Sequence, residues 1–304
     1  MSIFQGFNHR KYLNSRGIRV KTSGENVGRG WTGIYECPYC GKPDYHFAIN
    51  SKHKTVSCWV CETKKPLPAF VMKTDKCSYE DAIKTIIQFS EGFDLDLAEV
   101  QNFKRQNHVI FPTGIDTEFR STFKKYIEER GFSDPESIIN KYGLLCTTPF
   151  SEIPSRLLFP FYYKGDIVTF IHRTINKKGY RNWPIEKSIL DPKSTLYNID
   201  SVQKNSVICI TEGVFDSIKG GDGFVSTSGI EYHSEQIKMI LSKKPKRTFI
   251  IFDPEPYAQK VAKKLQVELS VFLNNVENIY LTESEDLGSM SEDDVKLLRK
   301  DLKI

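Results

Sequence analysis

Four cysteines fall in two pairs, Cys37-Pro-Tyr-Cys40 and Cys58-Trp-Val-Cys61, with 17 residues between them. A two-residue spacing lets both thiolates of a pair turn toward one point on a tight knuckle. Two such knuckles close a tetrahedral four-sulfur site, the donor set of a structural zinc ion, one per chain. Four unrelated buried thiols would have no reason to keep that spacing. A redox pair would need a thioredoxin-like strand and helix around it, and neither pair has one. A secreted disulfide scaffold is shorter and denser in cysteine. The other three, Cys77, Cys146 and Cys209, read as ordinary core or surface thiols.

A second set of residues with chemical potential is acidic. Glu212 and Asp216 follow the apolar run 206–211, Asp253-Pro-Glu255 follows 247–252, and Glu283, Glu285 and Asp286 follow 278–282. Side chains two apart on extended chain share a face, and Pro254 biases Asp253 toward the extended form. Any one of these acids taken alone is a helix cap favoured by the macrodipole. Their joint placement after three apolar runs, with Gly213 permitting close backbone approach, favours a shared crevice. Carboxylates gathered there repel one another unless hard divalent cations, Mg2+ or Mn2+, sit among them. Such a site suits phosphoryl chemistry.

The elements that must position these groups follow from periodicity. Between the cysteine pairs, 46–50 and 55–59 read as two strands around a Ser51-Lys-His-Lys turn, a β zinc ribbon. A serine cap and helical apolar spacing predict a helix over 78–91, and 92–119 reads as a linker. Two short helices are expected around the Arg130-Gly-Phe-Ser-Asp-Pro turn. A small sheet is expected over 156–200, with strands at 156–163 and 167–173. From 206 onward strands and helices alternate: strands at 206–211, 223–227, 247–252 and 278–282, and helices at 214–219, 234–242, 257–269 and 291–302. Apolar strands alternating with helices argue a parallel sheet covered on both faces. The chain is therefore read as multi-domain α/β: a ribbon domain over 1–75, a helix and linker over 76–119, a mixed α+β subdomain over 120–200 and a parallel α/β domain over 201–304. In open parallel sheets working groups lie beyond the carboxyl ends of the strands, which is where the acids fall.

Composition narrows the class. The 304 residues are 39% hydrophobic and 27% charged, with 20 Phe and 14 Tyr, which suits a chain with a real core and excludes wholesale disorder. No uninterrupted apolar stretch reaches the roughly 18 residues of a membrane span, and the first residues carry no signal-peptide run. A cytoplasmic protein with no membrane partner is expected. The net charge of +5 is unevenly distributed: residues 1–70 carry +7, 71–150 carry −3, 151–200 carry +3 and 201–304 carry −2. A polyanion would find the two basic blocks, although charge alone fits an ordinary solvated surface equally well.

Two segments carry a resemblance. Thr211-Glu-Gly-Val-Phe-Asp216 and Ile250-Ile-Phe-Asp-Pro-Glu255 resemble the signature motifs of the Toprim domain, shared by DnaG-type primases, topoisomerases, Toprim nucleases and RecR-like proteins. The four-cysteine ribbon, Arg130-Gly-Phe-Ser, and Arg156-Leu-Leu-Phe-Pro ahead of Ile171-His-Arg173 resemble the zinc domain and the first half of the polymerase domain of DnaG-type primases. The likeness spans about residues 12–75 and 122–290. It is nearest to a compact bacteriophage or plasmid version, acting in the bacterial host cytoplasm. Three departures stand out: Glu255 replaces the family's second Asp, Tyr257-Ala258 replaces the usual Ala-Gly, and no helicase part follows.

The resemblance implies a DNA primase, a nucleotidyltransferase that lays short RNA primers on single-stranded DNA from ribonucleoside triphosphates, working with a replicative helicase in trans. It makes Glu212 the catalytic acid with Asp216 its helix-borne neighbour. Asp253 and Glu255 become the metal pair, and Asp286 the acid after the next strand. Mg2+ or Mn2+ would sit among Glu212, Asp253, Glu255 and Asp286. Arg156, Arg173, Arg181 and Lys193 fall where the family keeps basic residues for template and nucleotide. The ribbon would read a short template sequence, with Lys52, Lys54 and Trp59 as exposed candidates. Two other Toprim classes compete. A RecR-like DNA-binding protein places its ribbon next to the Toprim unit, whereas about 145 residues intervene here, and a Toprim nuclease needs no Arg156–Arg173 segment.

Overall fold

A computed structural model describes residues 6–50, 52–90, 107–116, 118–176, 179–281 and 286–304, without the side chain of Glu80. The chain divides into two compact units, Met1–Ala98 and Glu99–Ile304.

The first unit holds α1 (His9–Ser15), β1 (Val20–Lys21), β2 (Trp31–Ile34), β3 (Phe47–Asn50), β4 (Thr55–Cys58), β5 (Lys64–Pro66), α2 (Leu67–Asp75) and α3 (Tyr79–Gln88). Its five strands form one antiparallel sheet in chain order. The β3–β4 pair predicted between the cysteine pairs is present, with Phe47 opposite Cys58. Burying a ribbon's single face takes more than two strands, and the helices supply the cover. Phe47 lies 5.6 Å from Phe70 of α2, and Tyr12 of α1 packs edge-on to Phe70 and Phe89. The Tyr12 hydroxyl donates to Asp75 at 2.9 Å, and Arg16 also binds Asp75. Neither α1 nor α2 was expected from the sequence. In α2 the inward Leu67, Phe70 and Val71 are masked by Pro66 and Pro68, which here open the helix rather than break it. Helix α3 starts where expected, with Ser78 accepting from Asp81 N at 3.1 Å.

The second unit begins, in its described part, with a chain read from sequence as linker. Residues 91–106 lie outside the described residues, but β6 (Ile115–Asp116) pairs with β7 (Leu145–Thr147), and Phe111 stacks on Phe170 at 5.5 Å. The apolar Val109, Phe111 and Ile115 are too few to show a period, yet all three pack on the sheet. Helices α4 (Ser121–Glu129) and α5 (Pro135–Tyr142) precede β7. Strands β8 (Leu157–Tyr163) and β9 (Asp166–Arg173) form a hairpin, and β10 (Arg181–Asn182) completes an antiparallel sheet ordered β10-β9-β8-β7-β6. The hairpin turn has positive φ at Lys164 and Gly165. Both of their amides donate to the Asp200 carboxylate, at 3.0 and 2.8 Å.

The remaining elements are β11 (Val207–Thr211), α6 (Val214–Gly220), β12 (Phe224–Ser226), α7 (Ser234–Ser242), β13 (Arg247–Ile251), α8 (Pro256–Ser270), β14 (Val276–Asn278) and α9 (Glu292–Leu302). The strands are all parallel, in the order β12-β11-β13-β14. Cys209, Phe249 and Ile251 point to one face, where Leu287, Val295 and Leu302 cover them. Ile208, Ile210 and Ile250, one residue out of phase, are equally buried on the other. Burial on both faces is why these strands read as unbroken apolar runs. The fourth strand begins two residues earlier than its apolar run suggested: Asn278 is the last residue paired with β13, and Ile279 N still donates to Ile250 O at 2.8 Å. Thr282 falls outside the described residues.

Phe249 is fully buried at the centre of this sheet. Phe249→Ala should lower the unfolding free energy by about 3–5 kcal/mol, measured by urea titration of the purified chain.

Candidate active site

In the first unit the four cysteine sulfurs converge, all within 4.8 Å of one another. Cys37 Sγ is 4.0 Å from Cys61 Sγ, and Cys40 Sγ is 4.0 Å from Cys58 Sγ. The edge of a tetrahedron with Zn–S bonds of about 2.3 Å is about 3.8 Å, so the donors fit zinc. The knuckles are set by backbone bonds: Gly41 N donates to Cys37 O at 2.8 Å and Cys58 N to Thr63 O at 2.9 Å. Burial pushes the Cys37 thiol up to about 12, whereas the Thr63 hydroxyl, 3.1 Å from Cys61 Sγ, holds Cys61 down at about 6. Of the ribbon groups picked out for template reading, Lys52 and Trp59 are exposed, Trp59 by 45%. Lys54 is not: its ammonium donates to Phe7 O at 3.0 Å, so it helps pack the ribbon.

In the second unit the carboxyl ends of the parallel strands carry the acids. Glu212 directly follows β11 and is 7% exposed, its Oε1 accepting from Asp253 N at 2.9 Å. Asp253 leaves β13 beside it. Asp216, in the first turn of α6 and 8% exposed, accepts from Gly213 N at 2.8 Å. Two glycines make room for that carboxylate. A Cβ on Gly213 would lie 2.5 Å from one of its oxygens, and a Cβ on Gly288 would lie 2.7 Å from the other. Glu255 is exposed and stands at the N-cap position of α8, where its side chain makes no capping hydrogen bond. Asp286 caps the short 3-10 turn Leu287–Ser289, its Oδ1 accepting from Ser289 N at 2.6 Å. Glu283 and Glu285 lie outside the described residues.

Electrostatics ties these groups together. Burial pushes Glu212 up to about 7, and the charges of Asp216 and Glu255 add to the rise. Asp253 also stands at about 7, through burial and then the charges of Glu212, Asp216, Asp286 and Glu255. Asp216 rises to about 6 by burial, with Asp286 adding and Arg130 opposing. Charge therefore couples the five expected acids at the carboxyl ends of β11 and β13. They are held more loosely than the cysteines, because among the described residues only the sulfurs form a tight ligand group. Oxygen donors whose negative charge is poorly tolerated are the donor type that a hard divalent cation takes.

The basic residues divide. Arg156 and Arg181 line one cavity of about 600 Å3, together with Arg120, Phe123, Asn176 and Tyr180. Arg173 is stacked instead, 4.8 Å over the Tyr180 ring and 5.3 Å over Tyr126. Lys193 sits in the 3-10 turn Pro192–Ser194 and does not line that cavity. Sequence reading missed Arg120 as a cavity residue and Arg130 as a neighbour of Asp216. Arg130 lies 4.8 Å over Phe215, with its Nε buried and unbonded. The available signal was arginine among aromatics at helical spacing: Tyr126 and Arg130 are four apart.

Two outcomes test the metal assignments. Metal analysis should find one zinc per chain, lost in Cys37→Ser together with a lower melting temperature of the first unit; a folded, zinc-free ribbon contradicts this. At the crevice the folded-state pKa values of Glu212, Asp216 and Asp253 lie above the unfolded value of about 4, so the stability that these three groups contribute in the cation-free protein is fully present below pH 4 and is lost as pH rises through about 7. Added Mn2+ should therefore raise the melting temperature at pH 8 and do so far less at pH 5.5, where protons hold the same oxygens.

No family model matches the sequence. A DNA primase of Clostridium acetobutylicum is 22% identical over 295 residues, covering 80% of this chain and 48% of its own. A DNA primase of Lactococcus lactis subsp. lactis is 21% identical over 293 residues, covering 78% and 45%. Among solved structures, the zinc-binding and RNA polymerase domains of the Aquifex aeolicus primase superpose with a TM-score of 0.49 at 16% identity, over 99% of this chain and 85% of that one. The chain spans about half the length of the curated relatives it matches. In sequence the chain is similar to these two proteins named DNA primase, and it carries a four-cysteine cluster ahead of its mixed α/β part.

Proposed function

We propose that this chain is a DNA primase that synthesises short RNA primers on single-stranded DNA by metal-dependent nucleotidyl transfer, its parallel sheet being a Toprim domain. The observation that carries the reading is the crevice of Glu212, Asp216 and Asp253. Three half-buried or buried carboxyl groups there share a repulsion that divalent cations relieve. The similarity to proteins named DNA primase supports the same reading.

Asp253, Glu255 and Asp286 would hold Mg2+ or Mn2+, and a cation bound there neutralises charge on a triphosphate and its leaving group. Asp216 is anchored by Gly213 N and crowded by Gly288, so it orders the crevice from the α6 side. Glu212 takes the position of proton acceptor for the 3′-hydroxyl of the growing strand. Burial raises the basicity of its carboxylate, and Asp253 N fixes one of its oxygens. Arg156 and Arg181, with Arg120, give the 600 Å3 cavity a positive lining for template phosphates, and Arg181 and Lys193 serve the nucleotide phosphates. Arg173, held between Tyr180 and Tyr126, keeps its charge beside that lining without flexibility. The zinc ribbon reads the template, presenting Lys52 and Trp59. No helix among the described residues is long and apolar enough to cross a membrane. The protein would act in the cytoplasm, a host's if it is phage-encoded, with a replicative helicase supplied in trans.

Primer synthesis on single-stranded DNA with ribonucleotides and Mg2+ tests the reading. Glu212→Gln should lower the initial rate by about 100-fold or more. Equal yields from wild type and variant would remove Glu212 from the chemistry, and degradation of the template would mark a nuclease.

A further inference from the structure

Two tyrosines at the edge of the parallel sheet are exposed where the carboxylates stand. Tyr257 and Tyr280 are each 56% exposed. Both are held by their hydroxyls rather than by core packing: Tyr257 Oη donates to Glu231 Oε1, and Tyr280 Oη donates to Pro254 O at 3.3 Å. Tyr257 follows Glu255 at the start of α8. It reaches Glu231 in the segment after β12, the strand beyond β11, whose end carries Glu212. Tyr280 comes from the segment after β14, on the opposite side of β13. The loop of Asp253, Pro254 and Glu255 therefore runs between a tyrosine tied toward the β12 side and one approaching from the β14 side.

An isolated exposed aromatic needs no explanation. A pair held on the two flanks of one carboxylate loop, Tyr280 by a bond to the loop and Tyr257 by a bond to Glu231, is different, because each bond limits ring motion in advance and leaves more than half of each side chain open. We propose that Tyr257 and Tyr280 form the stacking surface for the base of a nucleoside triphosphate whose phosphates lie at the carboxylates. The inference rests on the reading of that edge as a metal-dependent nucleotidyl-transfer site. Every base has a π face, so such a surface binds all four nucleotides alike and leaves selection to the template. Neither tyrosine offers a cation, and both hydroxyls already donate within the protein, to Glu231 and Pro254 O, so the two parts of the nucleotide are held by separate groups.

That separation supplies the test. Binding of ATP and of inorganic triphosphate, each with Mn2+, is measured by calorimetry on the full chain. Tyr257→Ala and Tyr280→Ala should each weaken ATP by about tenfold while leaving inorganic triphosphate unchanged, and the Phe variants should keep most of the ATP affinity. The proposal is overturned if the double alanine variant binds ATP like wild type. It is equally overturned if ATP and inorganic triphosphate weaken together, since the tyrosines would then shape the metal loop rather than receive a base. If wild type binds neither triphosphate in Mn2+, the reading of the edge itself fails and takes this inference with it.

Discussion

Like charges brought together at the carboxyl edge of a parallel sheet are the constraint around which the second unit is organised. Glu212 and Asp253 leave adjacent parallel strands, and Asp216 sits one helical turn on. Burial and mutual repulsion raise all three above their ordinary range. Left alone, such a cluster opposes folding as pH rises. The fold tolerates it through directed backbone donors: Asp253 N serves Glu212, and Gly213 N serves Asp216. Those donors fix the oxygens without neutralising them, so position is held while the negative charge is kept.

A second set of interactions carries positive charge toward this edge. Arg130 and Arg173 both lie over Phe215, the residue before Asp216, and Arg173 also lies over Tyr126 and Tyr180. Guanidinium groups stacked on rings hold their orientation and stay weakly hydrated. Phe215 itself packs edge-on to Phe159 of the antiparallel sheet. The aromatic contact thus links the two sheets of the second unit through the same residue that orders the arginines. The first unit solves a different problem by the same logic: its core is small, and the four-cysteine cluster and the Tyr12–Asp75–Arg16 contact stand beside a thin apolar layer.

The sequence by itself determined the elements whose reason is local. The cysteine spacing dictates two knuckles, strand–helix alternation dictates a parallel sheet, and serine caps and the Lys164-Gly165 turn mark where elements begin and reverse. It also indicated which end of the strands carries acids, because a residue that directly follows an apolar run must stand at that end. What it did not carry was anything decided by partners distant in the chain. Helices α1 and α2 exist because the ribbon needs cover, and β6 exists because β7 has a free edge for it. The turning of Lys54 into the ribbon, the assembly of Arg120 with Arg156 and Arg181 around one cavity, and the approach of Arg130 to Asp216 were settled only by tertiary structure. The physical reason is the same each time: short-range sterics and period are written in neighbouring residues, whereas burial and electrostatic environment are properties of what the folded chain brings alongside.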